Sequence, residues 1–533
     1  MKKILALILA LTMLLSLAAC GGGNAGNETK APEGNENVQA GEKEPVEVVP
    51  TKGGDWKWIA SMYFIGMLNT HTQGTVKEFG WACMEPLGYI VPGETEWKLQ
   101  LAESYEIDKE NATITVKVKE GITFHDGDTL DAEDVAFSIG SRIDFGTAGV
   151  IGNPLEVNVL DTYTVEVKYA AYSPCFEEWI LPTWVYSKNT FDAIGAEGML
   201  QWMNGTGPYV MSEYVPDVSI KYVRNENYWN PYETGPETIE IVAVADETSR
   251  LASFLSGESD MIVTSSAETI AQLQQKGYEV MDLPNGEEIQ YILLPITLDP
   301  DAPLSKKEVR QALYLYGIDW DGFAYALYGD LGFHTDAAGM TSYGYYKEDL
   351  EQSAVDYEKC KQLLADAGYP NGFETVIYGS ATSTTMATIL QAELAKVGVT
   401  AEVKILDSAD MSELNKGLGP KTGIACDGRL YTPSQTDRFN KFYSHLGTLA
   451  GMVDWPDEVV AAYEAVRAAQ SVEEQNSALY DYVKMYVLEE ALYWPVANSG
   501  SKVAFQPWFS TTTDAYHHAM GGYDVTQFIL GEH

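Results

Sequence analysis

Residues 99–142 read LQLAESYEIDKENATITVKVKEGITFHDGDTLDAEDVAFSIGSR, and their pattern predicts a strand, a turn and a helix in succession. Apolar and polar residues alternate in Thr113–Lys119, which predicts a strand with one apolar face. Asp131 stands where an N-cap belongs, and apolar residues recur at helical spacing from Ala132 to Ile143. We interpret the intervening His125-Asp126-Gly127-Asp128 as a turn rather than a metal or catalytic cluster, because Asp-Gly is ordinary turn chemistry.

Strand and helix patterns also alternate along the rest of the chain. Alternation predicts strands at Tyr163–Tyr169 and Val399–Ile405, and an apolar stripe predicts a helix that includes Cys360 and ends at Gly368. Ser305–Glu308 and Ser471–Glu474 have the spacing of a capping box, which predicts a helix start at each. This mixed order predicts an α/β or α+β protein with several sheets, and 533 residues predict two or three domains.

The N-terminus predicts export. A short positive segment, Met1–Lys3, precedes the apolar run Ile4–Leu17, which is short for a membrane-spanning helix, so residues 1–19 are interpreted as a signal peptide. Leu17-Ala18-Ala19-Cys20 resembles a bacterial lipoprotein signal, which implies lipidation of Cys20. The alternative is plain secretion, with Cys20 an incidental thiol. Residues 20–52 are rich in Gly, Asn and Glu and are predicted to form a flexible tether behind the lipidated cysteine.

Charge and motif content exclude several functions. The chain has 34 basic and 77 acidic side chains, a net charge of −43, which is incompatible with a nucleic-acid-binding surface. The sequence contains no HExxH or GxSxG motif and no pair of cysteines at metal-binding spacing, so we expect no metal, no cofactor and no enzyme activity. Disulfide pairing stays open for the four cysteines beyond Cys20, which are Cys83, Cys175, Cys360 and Cys426.

A family resemblance extends over six ordered blocks between residues 99 and 403. The first block, residues 99–142, closely resembles the signature of extracellular solute-binding proteins of the oligopeptide/dipeptide/nickel class, which are the receptors of ABC importers. The other five blocks are similar to that family's motifs in the same order: GTGPYVMSEYVPDVSIKYVRNENYW (205–229), LSGESDMI (255–262), PLSKKEVRQALYLYGID (303–319), Ala354–Glu374 and Leu390–Val403.

The resemblance implies a periplasmic-binding-protein-like α/β fold, with two lobes joined by hinge strands and an extra subdomain inserted in the first lobe. On this basis we expect the first lobe at residues 53–92, 205–290 and 496–533, with the insertion at 93–204. The second lobe is expected at 291–495. The hinge crossings are expected at Gln290–Thr297 and Leu492–Ala497, which are short, extended apolar segments. Ligand would bind between the lobes of a monomer, and closure would present a surface to the permease.

The resemblance also suggests candidate ligand-binding residues. Peptide receptors of the family hold the ligand's N-terminal amine with an Asp, and Asp427 in TGIACDG (422–428) falls at the matching position, although Ile424 replaces the family's Trp. Asp427 could instead be an ordinary loop or cap residue. Arg429 could pair with Asp427 or bind a ligand carboxylate. His71, Trp81 and Tyr291 are the remaining candidates.

The function expected from these observations is that of a lipid-anchored, extracytoplasmic receptor that delivers a solute to an ABC importer. An oligopeptide is the first choice of ligand, and an oligosaccharide, a metal chelate or another small amine are the alternatives. The adjacent His517-His518 could be a metal site in a nickel-type receptor, or simply part of a surface loop. A secreted hydrolase is the alternative from another class, and a structural surface protein is disfavoured by the six blocks.

Replacing Cys20 by Ser tests the predicted anchor. Without the thiol no lipid can be attached, so metabolic lipid labelling should disappear and the protein should be released into the medium. Partitioning into Triton X-114 measures the anchor directly. Continued detergent-phase partitioning of Cys20→Ser would contradict the prediction.

Overall fold

The computed structural model describes residues 54–60, 80, 82–90, 96–144, 152–199, 201–216, 218–282, 289–334, 336, 353–430, 450–499, 501–510, 516–517, 522–523, 526 and 528–530. The signal peptide, Cys20 and the tether, as well as His71 and Trp81, lie outside these residues.

Strands and helices alternate through the described chain. The strands are β1 Asp55–Ala60, β2 Gly88–Ile90, β3 Trp97–Leu99, β4 Ala102–Asp108, β5 Thr113–Val118, β6 Glu156–Asp161, β7 Thr164–Lys168, β8 Tyr209–Val215, β9 Ser219–Arg224, β10 Thr238–Ala243, β11 Met261–Thr264, β12 Met281–Asp282, β13 Ile289–Thr297, β14 Gly332–Phe333, β15 Glu374–Gly379, β16 Thr400–Ile405, β17 Thr422–Leu430, β18 Trp494–Ser499, β19 Lys502–Phe505, β20 Phe509–Ser510, β21 Tyr516–His517, β22 Gly522–Tyr523 and β23 Ile529–Leu530. The helices are α1 Ala132–Asp144, α2 Phe176–Ile180, α3 Lys188–Met199, α4 Glu247–Leu255, α5 Ala267–Gln275, α6 Lys307–Ala312, α7 Trp320–Tyr328, α8 Tyr357–Asp366, α9 Thr384–Lys396, α10 Ser408–Asn415, α11 Asp457–Ala468 and α12 Val472–Val483.

A seven-stranded mixed sheet has the order β12-β19-β11-β1-β10-β9-β8. Its central strand β1 is parallel to both neighbours, β10 and β11, and buries Trp56 and Trp58. Strands that run parallel need covered faces, and the apolar core against this sheet includes aromatic residues from distant parts of the chain, such as Trp184 and Tyr209.

An antiparallel four-stranded sheet, β4-β5-β7-β6, contains the strands predicted around Thr113 and Tyr163. As expected from the alternation, Ile114, Val116 and Val118 are all buried. The predicted helix is α1, and the Asp131 side chain accepts a hydrogen bond from Glu133 N at 2.8 Å. Ile143 is the exception on its predicted apolar face, because it is 41% exposed near the end of the helix.

A six-stranded sheet, β14-β18-β13-β17-β15-β16, has a core of its own. Every residue of that core lies between Ile292 and Ala497. The central strand β13 is antiparallel to both β17 and β18, and Ile292, Leu293 and Leu294 are fully buried, so both of its faces are covered. Helix α8 packs here as the apolar stripe that includes Cys360 predicted, and α9 packs on the same core. Gly368 and Gly398, both at positive φ, stand two residues beyond the ends of α8 and α9.

The chain passes twice between the seven-stranded and six-stranded sheets. One passage leads from Asp282 to Ile289 and the other from Ser499 to Lys502. The two passages are paired at both ends, because Asp282 is the β-ladder partner of Lys502 and Ile289 that of Ser499. The expected hinge segment Gln290–Thr297 therefore lies inside β13, and the segment Leu492–Ala497 lies partly in β18 and partly directly before it. The chain changes sheets just before β13 and just after β18.

One predicted capping box is wrong and the other is half formed. Lys306, not Ser305, occupies the N-cap position of α6. Pro303–Ser305 forms a 3₁₀ turn that folds back on β13, and the Ser305 hydroxyl donates to Thr297 O at 3.2 Å. At α12, Ser471 Oγ accepts from Glu474 N at 3.1 Å as predicted. The Glu474 carboxylate, however, accepts from Gln470 N rather than from Ser471 N.

A buried carboxylate connects three separate segments of the chain. Glu85 is 2% exposed and accepts hydrogen bonds from Thr206 Oγ1 at 2.7 Å, Tyr228 OH at 2.6 Å, Trp229 Nε1 at 2.8 Å and Gln100 Nε2. Burial raises the pKa of Glu85, and these four hydrogen bonds oppose that rise. The network brings the GTGPY and NYW motifs of this chain together, since both supply donors to one acceptor.

The glycines of GTGPY serve the same junction. A Cβ at Gly205 would lie 2.0 Å from Cys83 O, and one at Gly207 would lie 2.6 Å from the Cys83 carbonyl carbon. No side chain larger than hydrogen fits at either position without moving the backbone that leads into Glu85.

Replacing Glu85 by Ala leaves buried donors without an acceptor, and we expect the free energy of unfolding to fall by about 2–4 kcal/mol. Urea unfolding at pH 7 measures it. Glu103→Ala is the matched control: Glu103 pairs with Lys117 at 2.7 Å on the surface, and its loss should cost no more than about 1 kcal/mol. Equal losses for the two variants would contradict a special role for the Glu85 network.

Candidate functional site

The register of β13 and β17 brings three predicted site residues together. Gly428 is the β-ladder partner of Tyr291, Asp427 of Ile292, and Arg429 of Gln290. Asp427 and Arg429 therefore flank the residue opposite Tyr291, near the end of the strand pair at which the chain changes sheets. His71 and Trp81, the other two predicted site residues, lie outside the described residues.

Tyr328 is a neighbour of this place that the sequence analysis missed. Its ring stacks on that of Tyr291, with the centroids 5.7 Å apart and the planes 22° from parallel. Tyr328 ends α7, and Gly329 follows it with φ +60°. Helical spacing in the sequence was the available signal for the tyrosines of α7. Trp320, Phe323 and Ala324 form the buried face of this helix, so Tyr325, which is 62% exposed, lies on another face.

The stacked pair can contribute apolar and π contacts to a ligand. Both rings are half-buried, so each buries one face against the other and keeps part of its surface accessible. Asp427 and Arg429 occupy the sheet positions on either side of the residue paired with Tyr291, so aromatic, acidic and basic residues are neighbours along this strand pair.

Two groupings elsewhere resemble catalytic sites and lack the geometry for catalysis. In the first, Cys83 Sγ lies 3.7 Å from His125 Nδ1. His125 Nε2 lies 2.9 Å from Gly207 O, to which it donates, while Gly205 N donates to Nδ1. Burial raises the pKa of Cys83 to about 12 and lowers the pKa of His125, so the neutral thiol and neutral imidazole are favoured. An activated cysteine needs the opposite shift of its own pKa.

The second grouping is Ser353, His334 and Asp336. In a catalytic triad the serine and the carboxylate contact opposite nitrogens of the imidazole. Here Ser353 Oγ and Asp336 Oδ1 both approach Nε2, at 3.3 and 3.4 Å, and Nδ1 lies 3.1 Å from Val496 O. The Ser353 hydroxyl also donates to Asp336 at 2.8 Å, so this group ties a loop to β18.

The described part of the chain contains neither a metal-binding cluster nor a membrane-spanning helix. No group of three or more His, Cys, Asp or Glu side chains there could hold a metal ion. His517 lies in the short strand β21, and His518 is outside the described residues. No helix in the described ranges is long and apolar enough to cross a membrane.

Separate sheets with separate cores, joined by two paired passages, are the architecture of a two-lobed solute-binding protein. Residues 96–446 match the model of the bacterial extracellular solute-binding proteins, family 5 Middle. The chain belongs to this family, whose members are substrate receptors of ABC transporters rather than enzymes.

Relatives agree with this assignment. The chain is 26% identical over 471 residues to heme-binding protein A of Haemophilus influenzae. The aligned part covers 81% of this chain and 84% of that protein. It is 28% identical over 374 residues to the glutathione-binding protein GsiB of Shigella boydii, covering 68% of this chain and 69% of that protein.

Two solved structures show the same fold. The ABC transporter substrate-binding protein CtaP of Listeria monocytogenes has a TM-score of 0.77 at 20% identity, and 90% of this chain covers 100% of that one. The periplasmic binding protein DppA of Helicobacter pylori, in complex with the peptide STSA, has a TM-score of 0.74 at 18% identity, and 90% of this chain covers 99% of that one. The fold is thus the periplasmic-binding-protein-like α/β fold that the sequence predicted.

Alkylation of the buried thiols tests directly whether Cys83 is unreactive. Burial raises the pKa of both Cys83 and Cys360 to about 12, so the thiolate fraction at pH 8 is lower than in an ordinary cysteine by roughly three orders of magnitude. In the folded protein both should resist iodoacetamide for hours. Peptide mass mapping reads out each site, and urea-unfolded protein is the control. Rapid alkylation of folded Cys83 would reopen the hydrolase alternative.

Proposed function

We propose that the protein captures an oligopeptide between two lobes and delivers it to the permease of an ABC importer. The observation that supports the proposal is the register of β13 and β17, in which Asp427 and Arg429 flank the residue paired with Tyr291, close to where the chain passes between the sheets. Family membership supports the receptor role, and the register supports a ligand with charged termini.

The lobes of this proposal follow the sheets. The first lobe is built on the seven-stranded sheet and the second on the six-stranded sheet. The boundaries expected from sequence, 53–92, 205–290 and 496–533 for the first lobe and 291–495 for the second, then shift by a few residues, because residues 289–290 belong to β13 and residues 496–499 to β18. The inserted subdomain is 93–204, although Trp184 and Tyr186 pack into the core of the first sheet. Because the passages 283–288 and 500–501 run between paired strands, they would act as the hinge.

Asp427 would hold the peptide's ammonium group. An ammonium ion that loses its water on closure needs a fixed negative partner, and a charge-assisted hydrogen bond to a carboxylate provides one independently of the peptide's side chains. Arg429, two residues on, would hold a ligand carboxylate or orient Asp427. Tyr291 and Tyr328 would contribute apolar area, with His71 and Trp81 as candidates from the first lobe.

Two considerations favour a peptide over the other ligands. Among the proteins similar to this chain, GsiB is named for glutathione, a peptide derivative, and DppA was solved with a bound peptide. In addition, the described residues offer no cluster for a bare metal ion. An oligosaccharide or a metal chelate, whose binding would depend on the aromatic residues, is the second choice.

The receptor would act on the outer face of a bacterial cell membrane, held by lipid on Cys20 and a tether of residues 20–52. A monomer is proposed, since one chain contains both lobes. The permease and the membrane lipid are its partners, and no cofactor or nucleic acid is involved.

Replacing Asp427 by Asn tests the proposed site. Loss of the carboxylate should weaken binding of a free-amine peptide by about 10- to 1000-fold, because an ionic hydrogen bond is lost and the ammonium is left buried. A peptide mixture of three to five residues, analysed by native mass spectrometry, would first supply a binding peptide. Calorimetry with that peptide and its N-acetylated form then gives four affinities.

Asp410→Asn is the matched control, since Asp410 is an exposed aspartate on α10 of the same lobe, and it should bind as the wild type does. The acetylated peptide should bind the wild type poorly. Equal affinities for free and acetylated peptide would remove Asp427 from the site and favour a sugar-like ligand held by Tyr291 and Trp81.

A further inference from the structure

The inserted subdomain touches the second lobe at a place far from β13 and β17. Lys109 Nζ donates to Gln470 O at 3.4 Å, and Gln475 Nε2 lies 2.9 Å from Cys175 Sγ. The first pair is separated by 361 residues and the second by 300. Cys175 is completely buried, although it lies just before a helix of only five residues.

Both subdomain residues are held by local contacts. Lys109 follows Asp108, whose carboxylate accepts from Glu110 N at 2.9 Å and Asn111 N at 3.0 Å, so the β4–β5 turn is fixed. The Lys109 ammonium also sits 4.6 Å from the centre of the Tyr172 ring. Tyr172 in turn packs edge-on against Phe176, the residue after Cys175, with ring centres 5.5 Å apart. Lys109 and Cys175 therefore form one rigid corner.

The facing surface of the second lobe is equally fixed. Gln470 lies between α11 and α12, with its N–H bonded to Glu474 at 2.8 Å and its side chain donating to Ala468 O at 2.9 Å. Its carbonyl is thus aimed outward at Lys109. Gln475 lies in the first turn of α12, which Ser471 caps. Two ordered corners meet here, and two polar contacts join them.

We propose that these contacts form a clasp between the inserted subdomain and the second lobe, which holds the lobes together and opens when they separate. In this arrangement the Cys175 thiol is covered by Gln475 only while the clasp is shut. The inserted subdomain thereby takes part in closure, in addition to the ligand site and the hinge. The clasp rests on the lobe movement proposed above, but not on a peptide as the ligand.

The chemistry of the clasp suits a contact that must release. One exposed donor–carbonyl hydrogen bond and one partly buried amide–thiol contact together shift an equilibrium by roughly 5- to 100-fold. That is enough to bias the closed state and too little to trap a ligand permanently. A large apolar interface at the same place would hold the lobes more tightly.

Thiol accessibility in the protein without added ligand tests the clasp. N-ethylmaleimide at pH 7, followed by peptide mass mapping, gives the rate at Cys175 against the core thiols Cys83 and Cys360. We expect Cys175 to react at least ten times faster than these two. Lys109→Met keeps the contact with Tyr172 and loses the donor, and Gln475→Leu keeps the bulk over the thiol and loses the amide; each should raise the Cys175 rate about 3- to 30-fold.

Lys117→Met and Gln362→Leu are the controls, since they remove a surface lysine of the same sheet and a surface glutamine of the same lobe. Neither should change the rate at Cys175, and circular dichroism should show all four variants folded. A Cys175 rate no higher than that of Cys83, or one that the clasp variants leave unchanged or the controls raise equally, would overturn the proposal. Because no peptide is added, this result is independent of the outcome for Asp427.

Discussion

The ladder between β13 and β18 is the constraint on which the architecture depends. It pairs Ile289 with Ser499, the two residues where the chain leaves the six-stranded sheet, and β12 and β19 pair Asp282 with Lys502 on the other side. Only residues 500–501 separate β18 from β19 in the sequence. In the proposed closure the lobes would rotate about these passages, because a larger shear would break backbone hydrogen bonds of the two ladders.

Buried charged groups make each half of the molecule specific. Glu85 collects four side-chain donors from separate segments around the seven-stranded sheet. In the other half Arg310, 3% exposed, donates to Glu490 O at 2.9 Å and pairs with its carboxylate at 3.3 Å, while burial lowers the pKa of Arg310 to about 10. Each group is satisfied only in one arrangement of the chain, which excludes alternative packings of these segments.

The candidate site and the apolar core share strand β13. β13 is covered on both faces over Ile292–Leu294, yet at its beginning Tyr291 is half-buried and stacked on Tyr328. The candidate site thus lies at the beginning of a core strand. Two pairs of residues look catalytic, Cys83 with His125 and Ser353 with His334. Their contacts instead hold segments of the scaffold together. In them, burial and hydrogen bonds favour the neutral thiol and direct the serine hydroxyl at a carboxylate.

Local pattern was sufficient for the elements and, through the resemblance, for the fold. The strand Thr113–Val118 and the helix capped by Asp131 appear as predicted, because alternation and capping depend on residues only a few positions apart. The capping box at Ser305 failed because Ser305 lies in a 3₁₀ turn before the helix, where its hydroxyl donates to the carbonyls of Thr297 and Asp299. Sequence alone also proposed Asp427, Arg429 and Tyr291, but only the register of β13 and β17 decided that they are neighbours. Tyr328 beside Tyr291, the four donors around Glu85 and the meeting of Lys109 with Gln470 all join residues far apart in the chain. Such contacts are decided by tertiary packing, because no periodicity within one segment encodes which distant segment will lie against it.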